Sequence, residues 1–418
     1  MTIHLRLATA AALAALGCRP NGPVTGPAPI TALPRALTAA EQRLIVADNR
    51  FALRLLGQVT AEQRDAPGNV FLSPLSVAMA LAMTYNGAAG ATEEAMRATL
   101  DLEGMPVSEV NLAYRELIAL LQGLDPRVRF TLANSIWYRQ GFTVEQPFLD
   151  ATRAHYDARV AALDFRSPDA AQTINAWVSE ETQGRITEIV EPVLPEWAMM
   201  YLINAIYFKG DWTQQFDARL TASRPFRLAD GSTVTVPTMT HGREANVRVY
   251  RDASAQVLEL PYGGRAFTMT VVMPPQPDGI DALLAGLTAE RWDDWIAGLD
   301  STTSVVYLPK FVLTNDLLLN STLGTLGMGI AFDCDAPDMA DFTRMHVPQE
   351  VCITRVKHKT YVDVNEEGTE AAAVTAVEVG VTSAPLPIVV DRPFLFAIRE
   401  TLSGTILFIG VIRNPVAS

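Results

Sequence analysis

The segment from Glu366 to Pro385 constrains the fold more than any other part of this chain. Successive side chains of an extended chain point to opposite sides, so parity sorts residues 369–382 into two faces. Thr369, Ala371, Ala373, Thr375, Val377, Val379 and Val381 share one face, all small or β-branched and uncharged, while Glu370 and Glu378 both fall on the other. A strand divided in this way can lie in the middle of a sheet, its uncharged face on a core and its carboxylates in solvent. Fully extended, these 14 residues would span about 46 Å at about 3.3 Å each. That is long for a connection, although a surface loop or a plain edge strand also suits the composition.

The rest of the chain supplies the context. Ala40 to Leu56 and Ser76 to Tyr85 carry apolar residues at helical spacing, and Asn86-Gly87 stops the second run. Thr92-Glu93-Glu94 opens another helix, and Ala171 to Thr182 a further one with Gly184 in a stop position. Strands are expected at 130–138, 199–208, 268–273, 304–308, 351–364, 394–398 and 406–412. Helices early and strands late, without βα alternation, point to an α+β fold. From Ala39 onward neither a linker nor a fixed-period repeat interrupts the 418-residue chain, which argues for one domain over residues 39–418.

The N-terminus reads differently. Residues 1–17 have a short basic start and an apolar stretch too short to span a bilayer, as in a signal peptide. Ala15-Leu16-Gly17-Cys18 resembles the cleavage box of bacterial lipoproteins, which makes Cys18 a candidate lipidation site. An ordinary secretory signal with an incidental cysteine is the alternative. Residues 18–38 are rich in proline, as an extended tether would be. These features predict a secreted or extracytoplasmic protein, held to the bacterial envelope if Cys18 carries lipid. A formal charge of −13 and the lack of a Lys/Arg run disfavour nucleic acid and anionic lipid as partners. Three cysteines exclude a disulfide framework; whether Cys334 and Cys352 pair is left open by the sequence, with two buried thiols the favoured reading.

Several separated motifs then agree. Glu366-Glu367-Gly368-Thr369-Glu370-Ala371-Ala372-Ala373 resembles the inhibitory hinge of the serpin family, and Arg392-Pro393-Phe394-Leu395-Phe396 and Phe408-Ile409-Gly410 to Asn414-Pro415 resemble its closing strands. Asn69 to Ser76, Leu202 to Trp212 and Thr182 to Ile186 match further signatures, so the chain looks like a serpin over nearly all of Ala39 to Pro415. The resemblance implies three β-sheets, about nine helices and an exposed reactive-centre loop, here residues 366–390. It implies a monomeric, cofactor-free suicide inhibitor of serine proteases without a catalytic residue of its own. Family spacing from Gly368 and from Pro393 puts the reactive bond at Thr382-Ser383, presented with Val379, Gly380 and Val381. Small uncharged residues there point to an elastase-like or subtilisin-like enzyme and away from a trypsin-like one.

The hinge residues Glu366, Gly368, Thr369, Ala371, Ala372 and Ala373 would lead the insertion. Ser73, Ser76, Asn204 and His358 match the polar cluster under the sheet opening, and Trp212 the aromatic at its top. A serine beside a histidine invites a hydrolase reading, but neither a G-x-S-x-G elbow nor an H-E-x-x-H zinc motif occurs. The polyanion-binding members use a basic helix, whereas Thr92 to Gly123 is acidic on balance. A non-inhibitory serpin acting as a binding or chaperone module is the rival reading. A bulky or charged hinge would favour it, and this hinge is small.

Overall fold

The computed structural model describes residues 28–335, 339–348, 351–369 and 386–417. The expected signal peptide, Cys18, Ala371 to Ala373, the bait residues Val379 to Val381 and the Thr382-Ser383 bond lie outside them.

Nine α-helices are present among the described residues: α1 (Ala39–Glu62), α2 (Pro74–Tyr85), α3 (Gly90–Thr99), α4 (Val107–Gly123), α5 (Gln146–Tyr156), α6 (Asp169–Glu181), α7 (Ile280–Ala285), α8 (Ala289–Ala297) and α9 (Asn320–Leu323). Local chemistry sets their ends. Thr38 and Glu41 form a capping box at the start of α1. At α2, Ser73 caps and Pro74 occupies the first turn. After α6 the chain turns through left-handed Gln183 and Gly184, and the Gly184 amide closes on the Ser179 carbonyl at 2.7 Å. α2 is buried almost all round because it runs beneath the central sheet.

Three sheets share the strands, as the family resemblance implies. The central one has the order β12 (Phe311–Leu318), β13 (Lys357–Val364), β14 (Gly368–Thr369), β4 (Met200–Asp211), β2 (Val128–Arg139) and β3 (Arg159–Leu163). A second contains β1 (Val70–Leu72), β17 (Ile406–Ile412), β16 (Phe394–Glu400), β9 (Phe267–Met273), β8 (Gln256–Tyr262), β7 (Ala245–Arg251) and β10 (Asp300–Ser304). The third is β15 (Ile388–Val389), β11 (Val306–Pro309), β6 (Thr233–Thr240) and β5 (Ala222–Arg227). β9, β16 and β17 are buried along their whole length, which explains their near-continuous apolar runs. Phe71, Phe396 and Phe408 stack at 5.3–5.6 Å where this second sheet meets the core.

Three expectations need correction. The run 304–308 is two strands: β10 pairs with β7 and β11 with β6, so a break at Val305 moves the chain from one sheet to another. The run 351–364 is a strand only from Lys357, because residues 351–356 have no ladder partner. Cys334 and Cys352 are bridged, with their Cα atoms 5.2 Å apart. Both lie in irregular segments that the fold folds back against one another, so only the tertiary contact brings the two sulfurs into reach.

Candidate functional site

The central sheet is divided at its upper end by the hinge. Gly368 lies opposite Asp211, and Thr369 lies opposite Gly210 on one side and Val364 on the other. These two residues are therefore a short central strand, antiparallel to both neighbours. Thr369 is 3% exposed, and its hydroxyl bonds that of Tyr262 at 2.8 Å. Thr369 thus faces the core, as parity requires of the uncharged face. A Cβ at Gly368 would collide with the Gly210 carbonyl and the Asp211 Cα, so only glycine permits this close approach to β4.

Around the hinge the chain is tied down by side chains and backbone together. The Trp212 and Phe216 amides donate to the carbonyls of Glu367 and Glu366 at 2.7 and 2.8 Å. Trp212 donates its indole N–H to the Asn365 carbonyl at 2.9 Å and stacks on Tyr262 at 4.4 Å. Glu366 accepts from the Thr221 hydroxyl and from Lys310 Nζ, both at 2.7 Å. Burial raises the Glu366 carboxyl, but these donors outweigh it and hold the group below the ordinary carboxylate range. Lys310, Thr221 and Tyr262 come from the link before β12, the residue before β5 and the end of β8, and sequence reasoning missed all three. No local motif marks them, because their proximity is created by the packing of three sheets.

Lower down lies the polar cluster. Ser73 is fully buried. Its backbone N–H donates to His358 Nε2 at 3.0 Å, and its hydroxyl donates to the Leu407 carbonyl at 2.9 Å. The amide of Ser76 bonds Ser73 Oγ at 3.4 Å. Asn204 donates to Asn134 Oδ1 at 2.7 Å, while Asn204 Oδ1 is buried without a partner. Burial pushes the His358 imidazole down to about 4, so the ring is neutral and its Nε2 accepts. The serine hydroxyl is spent on a carbonyl and the imidazole faces a backbone N–H. That arrangement leaves no nucleophile and base in contact. Ser73 is bonded to His358 and Ser76, and Ser76, Asn204 and His358 line one cavity. Asn134 is the member sequence reasoning missed.

Ser76, Asn204 and His358 line one end of a cavity of about 230 Å³ that runs between β4 and β13 and reaches Met200, Glu191 and Cys352. Its walls are mainly apolar. No backbone pairing joins β4 to β13 among the described residues; the hinge alone separates them at the top. The arrangement is a slot with a strand already started at one end.

The description "Serpin (serine protease inhibitor)" belongs to a family model that matches residues 46–415. The chain is 35% identical over 385 residues to bovine leukocyte elastase inhibitor, covering 90% of this chain and 100% of that protein. It is 34% identical to Serpin-ZXA of rice, covering 90% and 99%. Among solved structures, human thyroxine-binding globulin complexed with thyroxine aligns with TM-score 0.80 at 26% identity over 90% of this chain and 100% of that one. Native tengpin, a thermophilic serpin, aligns with TM-score 0.79 at 26% identity over 93% and 97%. A slot with a seated hinge strand, a three-sheet architecture and agreement over nearly the whole length place the chain in one family: it is a serpin.

Proposed function

We propose that this serpin is a suicide inhibitor of serine proteases that captures its target by inserting residues 369–382 into the slot between β4 and β13. The observation that carries this reading is the seated hinge, because it fixes the register of everything that would follow. Each residue beyond Thr369 steps one residue back along both flanking strands. Thr375 then arrives between Asn204 and His358, where the orphaned Asn204 Oδ1 needs a hydroxyl donor. Insertion adds two backbone ladders and buries the uncharged face, which supplies the driving force.

The enzyme attacks the bait carbonyl and forms its acyl-enzyme. Insertion then carries the tethered enzyme toward the far end of the sheet before water completes deacylation. Displacing its catalytic groups by about 1 Å can cost on the order of a hundredfold in rate. The inhibitor contributes position and stored energy, and no catalytic side chain. In this reading Thr382-Ser383 is the reactive bond, the target is elastase-like or subtilisin-like, and the molecule acts as an extracytoplasmic monomer, lipid-anchored when Cys18 is modified. The names of the leukocyte elastase inhibitors support the target class.

Mixing the protein with elastase and with subtilisin, followed by a denaturing gel, tests it. A covalent band at the summed mass is expected. Quantitative loop cleavage without that band would instead favour a non-inhibitory binding module, the reading that the likeness to thyroxine-binding globulin keeps in view.

A further inference from the structure

The turn between β8 and β9 joins the hinge to a segment that lies before the first helix. Tyr262, Gly263, Gly264 and Arg265 form it, and the Arg265 amide closes on the Tyr262 carbonyl at 2.7 Å. Each backbone polar group of the two glycines has a partner. The Gly263 amide donates to the Asp211 carbonyl at 2.8 Å, and the Gly263 carbonyl accepts from the Thr213 hydroxyl at 2.9 Å. The Gly264 amide donates to Oδ2 of the buried Asp125 at 2.7 Å. The fourth partner comes from outside the helices and strands: the Ile30 amide donates to the Gly264 carbonyl at 2.7 Å. Ile30 Cδ1 also lies against the open face of Gly264, where a Cβ would stand 3.0 Å from it.

Ile30 belongs to a strap with a second fixed end. Leu33 and Leu37 pack with it against the main core. Arg35 meets Glu41 with two parallel hydrogen bonds of 2.6 and 2.9 Å, and it also donates to the Glu116 carbonyl of α4 at 3.2 Å, a forked geometry that fixes position as well as charge. The strap therefore follows one path from the turn to the start of α1. The other side of the same turn seats the hinge. Tyr262 bonds the Thr369 hydroxyl at 2.8 Å, and Asp211, whose carbonyl receives the Gly263 amide, lies opposite Gly368 in the ladder. Because Gly264 is buried, an unpartnered carbonyl there costs more than the bond itself contributes. A turn that loses Ile30 must shift to satisfy that carbonyl, and Tyr262 shifts with it.

We propose that Ile30 is a positioning residue for the hinge: by holding the Gly264 carbonyl it keeps the β8–β9 turn, and Tyr262 with it, where Thr369 is seated before the loop is cut, and so it sets how promptly insertion begins. The effect on insertion rests on the mechanism above; the effect on the hinge does not. With Thr369 already seated, the first step of insertion is complete and the cut segment starts its travel in register. With the strap released, the seat must be rebuilt while the acyl-enzyme is already open to hydrolysis. The segment before α1 thus acts on insertion without touching the loop.

Four variants separate transmission from simple loss of stability: Ile30→Pro, which deletes the amide; Ile30→Val, which keeps it and most of the side chain; Tyr262→Phe; and Ile30→Pro combined with Tyr262→Phe. Each is measured intact by hydrogen exchange, and with elastase by the ratio of covalent complex to cleaved inhibitor. Because deacylation belongs to the enzyme, that ratio reports the insertion rate. The amides of Gly263 and Gly264 report on the turn, and those of Trp212 and Phe216, which bond the hinge carbonyls, report on the hinge. Ile30→Pro should speed exchange at both places by about two- to tenfold, the change in local opening that one hydrogen bond commands. It should lower the ratio as well, and Ile30→Val should match the wild type. In the Tyr262→Phe background the further effect of Ile30→Pro on the ratio should shrink, because the link it acts through is gone. Unchanged exchange at Trp212 and Phe216, or an unchanged ratio in a protein that does form complex, overturns the proposal. Hinge amides that respond as expected in a protein that forms no covalent complex leave the positioning role standing and remove the inhibitory reading.

Discussion

His358 shows how one buried ring can report on the whole sheet. Its Nε2 accepts from the Ser73 N–H, and protonation would set two donors against each other. The folded value near 4 lies below the ordinary 6.5, so between those values the unfolded chain binds the proton and the folded one does not. Stability from this group is complete above pH 6.5 and falls as the pH drops through 4, by about 3 kcal/mol in all. Asp48 pulls the opposite way. It is buried beneath Tyr114, which donates at 2.7 Å, and its second oxygen has no partner. Burial lifts it from 3.8 to about 7, so the folded form holds a proton that the unfolded chain has lost. Stability is then lost as the pH rises from 4 to 7, by about 4 kcal/mol. Asp48→Asn should raise the melting midpoint at pH 8 and have little effect at pH 4. His358→Asn should flatten the acid limb of a stability profile; an unchanged limb would assign that limb to other groups.

At the scale of elements, the hinge strand and the bridged segment each carry a prediction. Thr369 sits in a space bounded by Tyr262 and two strands, and its neighbour Gly368 lies hard against the backbone of Gly210 and Asp211. A long charged side chain cannot be buried there at acceptable cost. Thr369→Arg should turn the inhibitor into a substrate, read as cleaved loop without covalent complex on a denaturing gel. The Cys334–Cys352 bridge closes a loop with a sequence separation of 18. Replacing both cysteines with serine should lower stability by about 3 kcal/mol through loop-closure entropy, measured by denaturant midpoint in the absence of reductant. Strands with an alternating or fully apolar pattern were legible at this scale, as 130–138 and 406–412 were. The strands of residues 222–262 were not, since their alternation is interrupted by Pro225, Pro237 and Pro261. Helices α4, α5, α7 and α8 were passed over, although Gly123, Gly286 and Gly298 stand at the ends of three of them.

For the molecule as a whole, the proposed mechanism requires that the intact protein be held by a kinetic barrier while a more favourable sheet remains unbuilt, so cutting the loop should raise the melting temperature markedly. Differential scanning calorimetry before and after cleavage between residues 379 and 383 checks this. An unchanged melting temperature would remove the metastable state on which the proposed inhibition depends.

What the sequence by itself determined was local and periodic: the faces of residues 369–382, the helix caps, the buried strands at the C-terminus, and motifs specific enough to name a family. Parity and propensity act between near neighbours, so they can be read without a fold. Only the tertiary structure decided which distant groups meet. Glu366 with Lys310, Thr369 with Tyr262, Ser73 with His358, Cys334 with Cys352 and Arg355 with Glu191 are joined by the closing of three sheets around one core. The physical reason is that a hydrogen bond or ion pair depends on distances of a few ångströms, which no spacing along the chain encodes.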